Sequence, residues 1–148
     1  IIAAKPDVIA HNVETVERLQ KEVRDRRAGY QQSLNVLEYV KRVDPSIYTK
    51  SSIMLGLGEK QEEVKKTMRD LREKEVDIVT LGQYLRPSAR EKEVKEYIHP
   101  EKFKEYEEEA YALGFKYAAA GPFVRSSYRA GELFIKNIIR KQKKRETE

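Results

Sequence analysis

Short apolar runs alternate with longer amphipathic stretches along this chain, and that alternation constrains its fold more than any other feature. Apolar residues at 8–10, 53–55 and 78–81 predict three short buried strands. After each run, apolar residues recur at helical spacing further along the chain. A strand followed by a helix, repeated three times, predicts parallel strands joined by right-handed crossover helices. We therefore expect an α/β fold built on an open parallel sheet or on part of a barrel.

Apolar stripes and stop signals place the remaining elements. The stripes predict one helix over residues 14–23 and another over residues 30–44. Pro100 is typical of the first residue of a helix, and Gly114 is typical of the position just after one. Residues 115–119 predict a fourth strand, and a last helix lies near the C-terminus.

The composition restricts the kinds of site that the chain can build. Its 148 residues suffice for one domain, and the absence of cysteine excludes disulfides, zinc–thiolate sites and cysteine nucleophiles. No apolar run approaches the roughly 20 residues of a membrane-spanning helix, so no membrane partner is predicted. The first residues do not resemble a signal peptide and lack an initiator methionine, which favours a fragment of a longer protein.

A basic charge balance raises the question of nucleic-acid binding. The net charge is +5 and the isoelectric point is about 9.3. Much of the positive charge lies at residues 136–145, and a Glu-rich helix around residues 105–109 offsets it. We interpret residues 1–140 as one domain and residues 141–148 as a basic flexible tail, with no nucleic-acid partner.

Polar residues and glycines cluster where each predicted strand ends. The motifs are His11-Asn12, Gly56-Leu57-Gly58-Glu59, Gln83-Tyr84-Leu85 and Arg125-Ser126-Ser127-Tyr128, after the first to the fourth strand in turn. The carboxyl ends of parallel strands meet at one edge, where the active sites of such folds lie. The sequence therefore predicts a single site to which all four motifs contribute.

The second strand and its turn suit the binding of a flat apolar ring. Ser52, Met54 and Gly56 alternate and so share one face. On that face Met54 offers a soft apolar surface, and Gly56 lets a ligand approach the backbone. Gly56 and Gly58 form a weak phosphate-loop signal that fits a tight strand-to-helix turn as well. Glu59 is interpreted as a residue of the first helical turn.

The first and third motifs each leave alternatives open. Asn12 can donate and accept hydrogen bonds at the polar end of a nucleoside, and it can equally cap the following helix. Gln83 and Tyr84 point to opposite faces of the third strand's end, so only one of them can face the site. Gln83 is preferred, together with Leu85 on the same face.

The segment from Gly121 to Tyr128 combines a stop of regular structure with a cation, two hydroxyls and a phenol. Taken alone, it reads as the entry to the last helix, with Ser126 or Ser127 as N-cap. Together with the other three motifs, in this order and spacing, it resembles the closing motif of lipoyl synthases, which are radical S-adenosylmethionine (SAM) enzymes. The resemblance runs over residues 7–140 and covers only the C-terminal half of such an enzyme.

The resemblance implies a fold and a cofactor pocket. The implied fold is the C-terminal half of a partial (β/α)6, TIM-like barrel with a C-terminal helical extension. The spacing of Ser52, Met54, Gly56 and Glu59 looks like the adenine-side motif of radical SAM enzymes, with Ser where the family often has Gly. The residues that the resemblance assigns to SAM binding are Asn12, Ser52, Met54, Gly56, Gly58, Gln83 and Leu85.

The resemblance also implies an activity. Lipoyl synthases insert two sulfurs into an octanoyl chain on a lysine of a carrier protein, either the glycine cleavage H protein or the lipoyl domain of a 2-oxoacid dehydrogenase. They use SAM and two [4Fe–4S] clusters, one held by Cys-x3-Cys-x2-Cys and one held by three cysteines and a serine. By residue-wise match that serine is Ser127, and Arg125 is assigned a catalytic role beside the cluster or carrier. The implied location is the cytoplasm, or the mitochondrial matrix in a eukaryote.

This sequence departs from the family pattern in lacking both cysteine motifs. The resemblance therefore implies a missing N-terminal half as a partner, and the chain alone is expected to be inactive. A second hypothesis is a non-catalytic α/β scaffold or a partner subunit of a radical SAM enzyme. A basic nucleic-acid-binding module is the third, which predicts binding that weakens steeply with salt.

Overall fold

A four-stranded parallel sheet forms the centre of the computed structural model, which describes residues 1–126 and 130–147. The strands are β1 (Val8–Ala10), β2 (Tyr48–Leu55), β3 (Ile78–Gln83) and β4 (Tyr117–Gly121). They lie in the order β1-β2-β3-β4, and each neighbouring pair is parallel. The predicted α/β fold with parallel strands is confirmed. Within the described residues β1 and β4 are the edges of the sheet.

Helices connect successive strands, as the apolar stripes predict. The connecting helices are α1 (Gln20–Val23), α2 (Tyr30–Val43), α3 (Gln61–Glu73) and α4 (Pro100–Leu113), and α5 (Ala130–Thr147) follows β4. The start of α4 at Pro100 is confirmed, and Gly114 ends the helix with a φ of 102°. That left-handed conformation strains residues that carry a Cβ, which is why glycine suits the position.

The predicted helix over residues 14–23 is wrong in its first part. Glu14 has a φ of 68°, and its N–H donates to the Ser52 carbonyl at 3.1 Å. The N–H of Met54 in turn donates to the Glu14 carbonyl at 2.7 Å. The chain thus continues beside β2, and the helix begins only with a 3₁₀ turn at Glu17–Leu19. Backbone pairing with β2 outweighs the local helical spacing.

One face of the sheet carries the hydrophobic core. Leu55 of β2 and Leu81 of β3 are fully buried there. Helix side chains that pack in the same cluster include Leu37 of α2, Met68 of α3 and Phe103 of α4, each at most 1% exposed. Burial of that many apolar side chains is the main stabilising contribution to a sheet covered by helices.

The opposite face of the sheet is polar along β2 and β3. Lys50, Ser52 and Met54 alternate on β2 and therefore share that face. The pairing register sets Ser52 beside Thr80, and their hydroxyl oxygens lie 2.5 Å apart in a buried hydrogen bond. Met54 lies beside Gly82 at the carboxyl end of the two strands.

An ion pair closes the opposite, amino end of the sheet. The Asp77 carboxylate lies 2.6 Å from Lys41 Nζ and 3.4 Å from Lys116 Nζ, and it accepts the Thr49 N–H at 2.9 Å. Lys41 and Asp77 are 9% and 4% exposed, so α2 is tied to the start of β3 by a buried salt bridge.

The last helix continues further than the sequence indicates. It runs through Thr147 and so includes most of the segment 141–148, which we interpreted as a flexible tail. Lysine, arginine and glutamine are good helix formers, and cations are favourable at a helix C-terminus. In the parts of the chain that the structure describes, no helix combines the length and apolar character needed to cross a membrane.

Candidate functional site

A pocket of about 200 Å³ lies at the carboxyl ends of the strands, where the four motifs were expected to meet. Its lining residues come from β2, β3 and the segments that follow β1, β3 and β4: Glu14, Ser52, Ile53, Met54, Thr80, Gly82, Gln83, Tyr84, Leu85, Pro87, Val124, Arg125 and Ser126. The pocket thus brings together five of the residues assigned by sequence, namely Ser52, Met54, Gln83, Leu85 and Arg125. Asn12, Gly56 and Gly58 are not among its lining residues.

Met54 supplies an apolar wall of this pocket. Its side chain is half-buried and packs against the hydrophobic core, with the rest turned to the pocket. Below it, Ser52 is 5% exposed and its hydroxyl is engaged with Thr80. The thioether of Met54 is polarisable and suits contact with a flat ring. The space over its register neighbour Gly82 is occupied by the carbonyl of Val124.

The turn after β2 is closed by Glu59. Its carboxylate accepts the N–H of Gly56 at 2.5 Å and the N–H of Leu57 at 3.0 Å. Burial raises the pKa of Glu59 above its ordinary value, against the opposing effect of these backbone donors. The interpretation of Glu59 as a first-turn helix residue is wrong, because α3 begins at Gln61 and Glu59 precedes its N-cap.

Gln83 uses its side-chain amide to hold the long connection between β3 and α4. Its Nε2 donates to the carbonyls of Tyr84 at 3.0 Å and Glu96 at 2.9 Å, and its Oε1 accepts the N–H of Ile98 at 2.8 Å. The Gln83 side chain therefore positions the pocket rim through residues 84–98. Leu85, by contrast, is 50% exposed and reaches the pocket from its outer side.

Two side chains at the end of β1 carry buried polar atoms without a hydrogen-bond partner among the described residues. They are Asn12 Oδ1 and His11 Nδ1. Burial, and next the charge of Arg24, lower the pKa of His11 below its ordinary value. A buried oxygen without a donor is costly, so Asn12 can accept a hydrogen bond from a ligand at this position.

The segment after β4 packs against the pocket and presents its last residues to it. Arg125 is exposed, and its Nη1 donates to the carbonyls of Pro122 at 3.1 Å and Val124 at 3.0 Å. Ser126 lines the pocket. Ser127 and Tyr128, singled out by sequence, lie outside the described residues.

Sequence reasoning missed several residues of the pocket, among them Thr80, Gly82 and Glu14. Thr80 and Gly82 become neighbours of Ser52 and Met54 through the β2–β3 register, which no local pattern predicts. Glu14 enters the pocket because its positive φ carries the chain beside β2. A glutamate in that conformation gives no signal in a single sequence, although strained backbone is common at functional sites.

Comparison with curated proteins identifies homologues of the whole chain. No family model matches the sequence. A lipoyl synthase of Methanocella arvoryzae is 59% identical over 138 residues, which is 93% of this chain and 47% of the relative. A mitochondrial lipoyl synthase of Drosophila melanogaster is 58% identical over 142 residues, 96% of this chain and 38% of the relative. The chain is a homologue of part of lipoyl synthase.

The homology has a defined extent. A lipoyl synthase of Halobacterium salinarum is 60% identical over 144 residues, 97% of this chain and 46% of the relative. The chain therefore spans about half the length, or less, of the lipoyl synthases it matches, and the matched region is their C-terminal part. Some of these lipoyl synthases are named mitochondrial and others carry no location in their name.

The residues present fit one of the groups that lipoyl synthase homology implies and not the other. SAM fits through the pocket's chemistry, because the pocket combines the half-buried Met54 with polar groups. Asn12 Oδ1 does not line the pocket and is a buried acceptor without a partner among the described residues. An iron–sulfur cluster does not fit the described residues by themselves. The sequence has no cysteine, and the described part of the chain has no group of His, Asp and Glu able to hold a metal.

Proposed function

We propose that this chain is the C-terminal part of a lipoyl synthase that inserts two sulfurs into an octanoyl chain on a carrier-protein lysine. The observation that carries the proposal is about 59% identity to lipoyl synthases over more than nine-tenths of the chain. The pocket at the carboxyl ends of the strands supports it, since this is where parallel α/β folds bind ligands.

The chain's contribution to the reaction is to bind and orient SAM. When bound, SAM supplies the radical that removes hydrogen from an unactivated carbon of the acyl chain. In this proposal Met54 contacts the adenine ring and Ser52 shapes the same wall. Gly56 acts from behind the wall, where it packs against Gln83 and Glu96. Asn12 accepts a hydrogen bond from the polar end of the nucleoside. Gln83, Gly58 and Leu85 hold the rim by fixing the turns around the pocket, which keeps water from the bound cofactor.

Ser127 and Arg125 are proposed for the sulfur-donating side of the site. Ser127 supplies one oxygen ligand, and the cysteine ligands of both clusters come from the part of lipoyl synthase that this chain does not span. Arg125, exposed on its loop, is positioned to meet an anionic partner.

The proposed architecture and partners follow from the same assignment. The four strands belong to a partial (β/α)6 barrel whose other strands pair with β1, which is an edge within the described residues. The proposed substrate is the octanoylated H protein or lipoyl domain. The proposed location is the cytoplasm, or the mitochondrial matrix in a eukaryote. Some homologues are named mitochondrial, and others carry no location in their name.

Reconstitution with iron and sulfide tests the proposal. The 148-residue chain alone should gain no cluster absorbance and cleave no SAM. Adding the cysteine-bearing N-terminal half should restore both, together with sulfur insertion into an octanoylated carrier. A scaffold or partner-subunit function predicts no rescue, and cluster formation by the chain alone contradicts both assignments.

The cluster-ligand assignment has its own test in the complete enzyme. Ser127→Ala should impair sulfur insertion while leaving folding and carrier binding intact, because only the ligand oxygen is removed. Ser126→Ala is the matched control, since it removes the neighbouring hydroxyl and keeps the backbone. Equal losses in the two variants with unchanged cluster spectra would count against Ser127 as the ligand.

A further inference from the structure

Lys50 is a buried lysine on the polar face of the sheet. It is 1% exposed in β2. Its partners in register are Ala10 on β1 and Ile78 on β3, whose side chains are apolar, and Ser52 lies two positions further along the same strand. Burying an ammonium group is expensive unless it finds hydrogen-bond acceptors.

One acceptor of the Lys50 ammonium group belongs to the main chain of the segment after β4. Lys50 Nζ donates to the carbonyl oxygen of Ser126 at 3.2 Å, a contact between residues 76 positions apart in sequence. Ser126 lines the pocket, while Lys50 does not. The lysine therefore acts on the pocket through the loop rather than by touching a ligand.

The same loop is seated on the sheet at a second point. A Cβ on Gly82 would lie only 2.1 Å from the carbonyl oxygen of Val124, so the loop backbone rests directly on β3. Inside the loop, the Val124 N–H donates to the Gly121 carbonyl at 3.2 Å, and Arg125 donates to two loop carbonyls. Two contacts, one on β2 and one on β3, thus define where residues 122–126 lie.

We propose that Lys50 is a positioning residue that anchors the loop 122–126 as one wall of the candidate SAM pocket. The hydrogen bond to Ser126 prevents the loop from lifting away from Gly82, which keeps Val124 and Arg125 at the pocket. The anchoring of the loop by Lys50 is independent of the proposed function. The effect of Lys50 on SAM binding rests on the proposed function.

Hydrogen–deuterium exchange tests the anchor in the chain itself. Lys50→Met should raise exchange in residues 121–126 by about tenfold or more, as expected for loss of one hydrogen bond from a charged donor. Lys50→Arg keeps a donor and should restore part of the protection. Lys41→Met is the matched control, because it removes another buried lysine at the far end of the sheet. In K41M the exchange rate of the loop should rise no more than that of the strands. If the exchange rate in K50M rises equally across the whole sheet, or does not rise, the proposal that Lys50 anchors the loop is wrong.

A reciprocal measurement covers the case in which K50M does not fold. Gly82→Ala places a methyl group against the Val124 carbonyl and should displace the loop. The Lys50 amine, protected in the native protein, should then react with an acetylating reagent several times faster. Unchanged protection of Lys50 in folded G82A contradicts the anchor.

The SAM part is measured in the complete enzyme. K50M should raise the dissociation constant for SAM several-fold, with rescue by K50R, while K41M leaves it unchanged. A mobile loop with unchanged SAM affinity overturns the positioning role. If the native enzyme itself binds no SAM, the proposed function fails, and the exchange experiment still decides whether Lys50 anchors the loop.

Discussion

The side-chain amide of Gln83 fills the space in which a side chain on Gly56 would lie. A Cβ at Gly56 would be 2.3 Å from Gln83 Nε2 and 2.4 Å from the carbonyl oxygen of Glu96. The turn after β2 and the connection after β3 are therefore packed as one unit beside the pocket. A substitution at Gly56 should therefore disturb both the turn after β2 and the connection after β3.

Replacing Gly56 by alanine should destabilise the protein and loosen the pocket rim. The methyl group meets backbone at Glu96 that cannot move aside, and the φ of 101° strains any residue with a Cβ. We expect a loss of about 2–4 kcal/mol of unfolding free energy, from backbone strain plus overpacking. Chemical denaturation measures it.

Gly58→Ala is the matched control for that substitution. Its φ is 102°, and the nearest atom to a Cβ is the Lys95 side chain at 3.7 Å, an ordinary contact. G58A therefore carries the strain without the collision and should cost less than G56A. Equal losses of unfolding free energy in G56A and G58A would mean that the packing of Gln83 against Gly56 does not contribute to stability.

Met54→Ala should weaken SAM binding in the complete enzyme. Truncation removes apolar surface from the pocket wall, and we expect a loss of about 1–2 kcal/mol of binding free energy. The chain has two methionines, and Met68→Ala serves as control because Met68 is fully buried in the core. M68A should lower the unfolding free energy and leave the affinity of the folded enzyme unchanged. If M54A lowered the unfolding free energy and left the affinity for SAM unchanged, Met54 would be only a core residue.

His11 should make the protein less stable in mildly acidic solution. Burial lowers its pKa below the ordinary value of 6.5, so the folded state favours the neutral ring. As the pH falls below 6.5, the unfolded chain takes up the proton first, and the stabilising contribution is lost on passing through the lower folded pKa.

The measurement is the unfolding free energy between about pH 7.5 and pH 5, compared between the native chain and His11→Gln. The variant should lose less stability over this range. The pH dependence that H11Q removes is then the contribution of His11. Identical pH dependence in H11Q and the native chain would contradict the prediction.

Lys41→Met should destabilise the amino end of the sheet. It leaves the Asp77 carboxylate buried with the more exposed Lys116 as its remaining cation. We expect a loss of about 2–4 kcal/mol, since breaking a buried pair leaves an uncompensated charge and Lys116 offsets part of it. Arg42→Ala breaks a surface pair with Glu38 and should change stability little, so a similar loss in both variants would argue against a special role for the buried pair.

The alternation of apolar runs and helical stripes determined the class of the fold. Whether a residue is apolar reports directly whether it will be buried, and the spacing of such residues follows the geometry of strands and helices. The parallel strands and the helix Pro100–Leu113, which ends before Gly114, could be predicted for that reason. Met54 and Ser52 could be placed on one face by simple alternation.

The tertiary structure alone decided the features that depend on pairing between distant segments. The left-handed backbone at Glu14 arises from its hydrogen bonds to β2, against a local pattern that favours helix. The register between β2 and β3 sets Thr80 beside Ser52, and nothing in either segment by itself specifies it. The Gln83 side chain forms hydrogen bonds with the backbone of Glu96 and Ile98, and the Lys50 side chain with the backbone of Ser126. A buried polar group forms hydrogen bonds with the backbone that the fold brings within reach, and the local sequence does not specify that backbone.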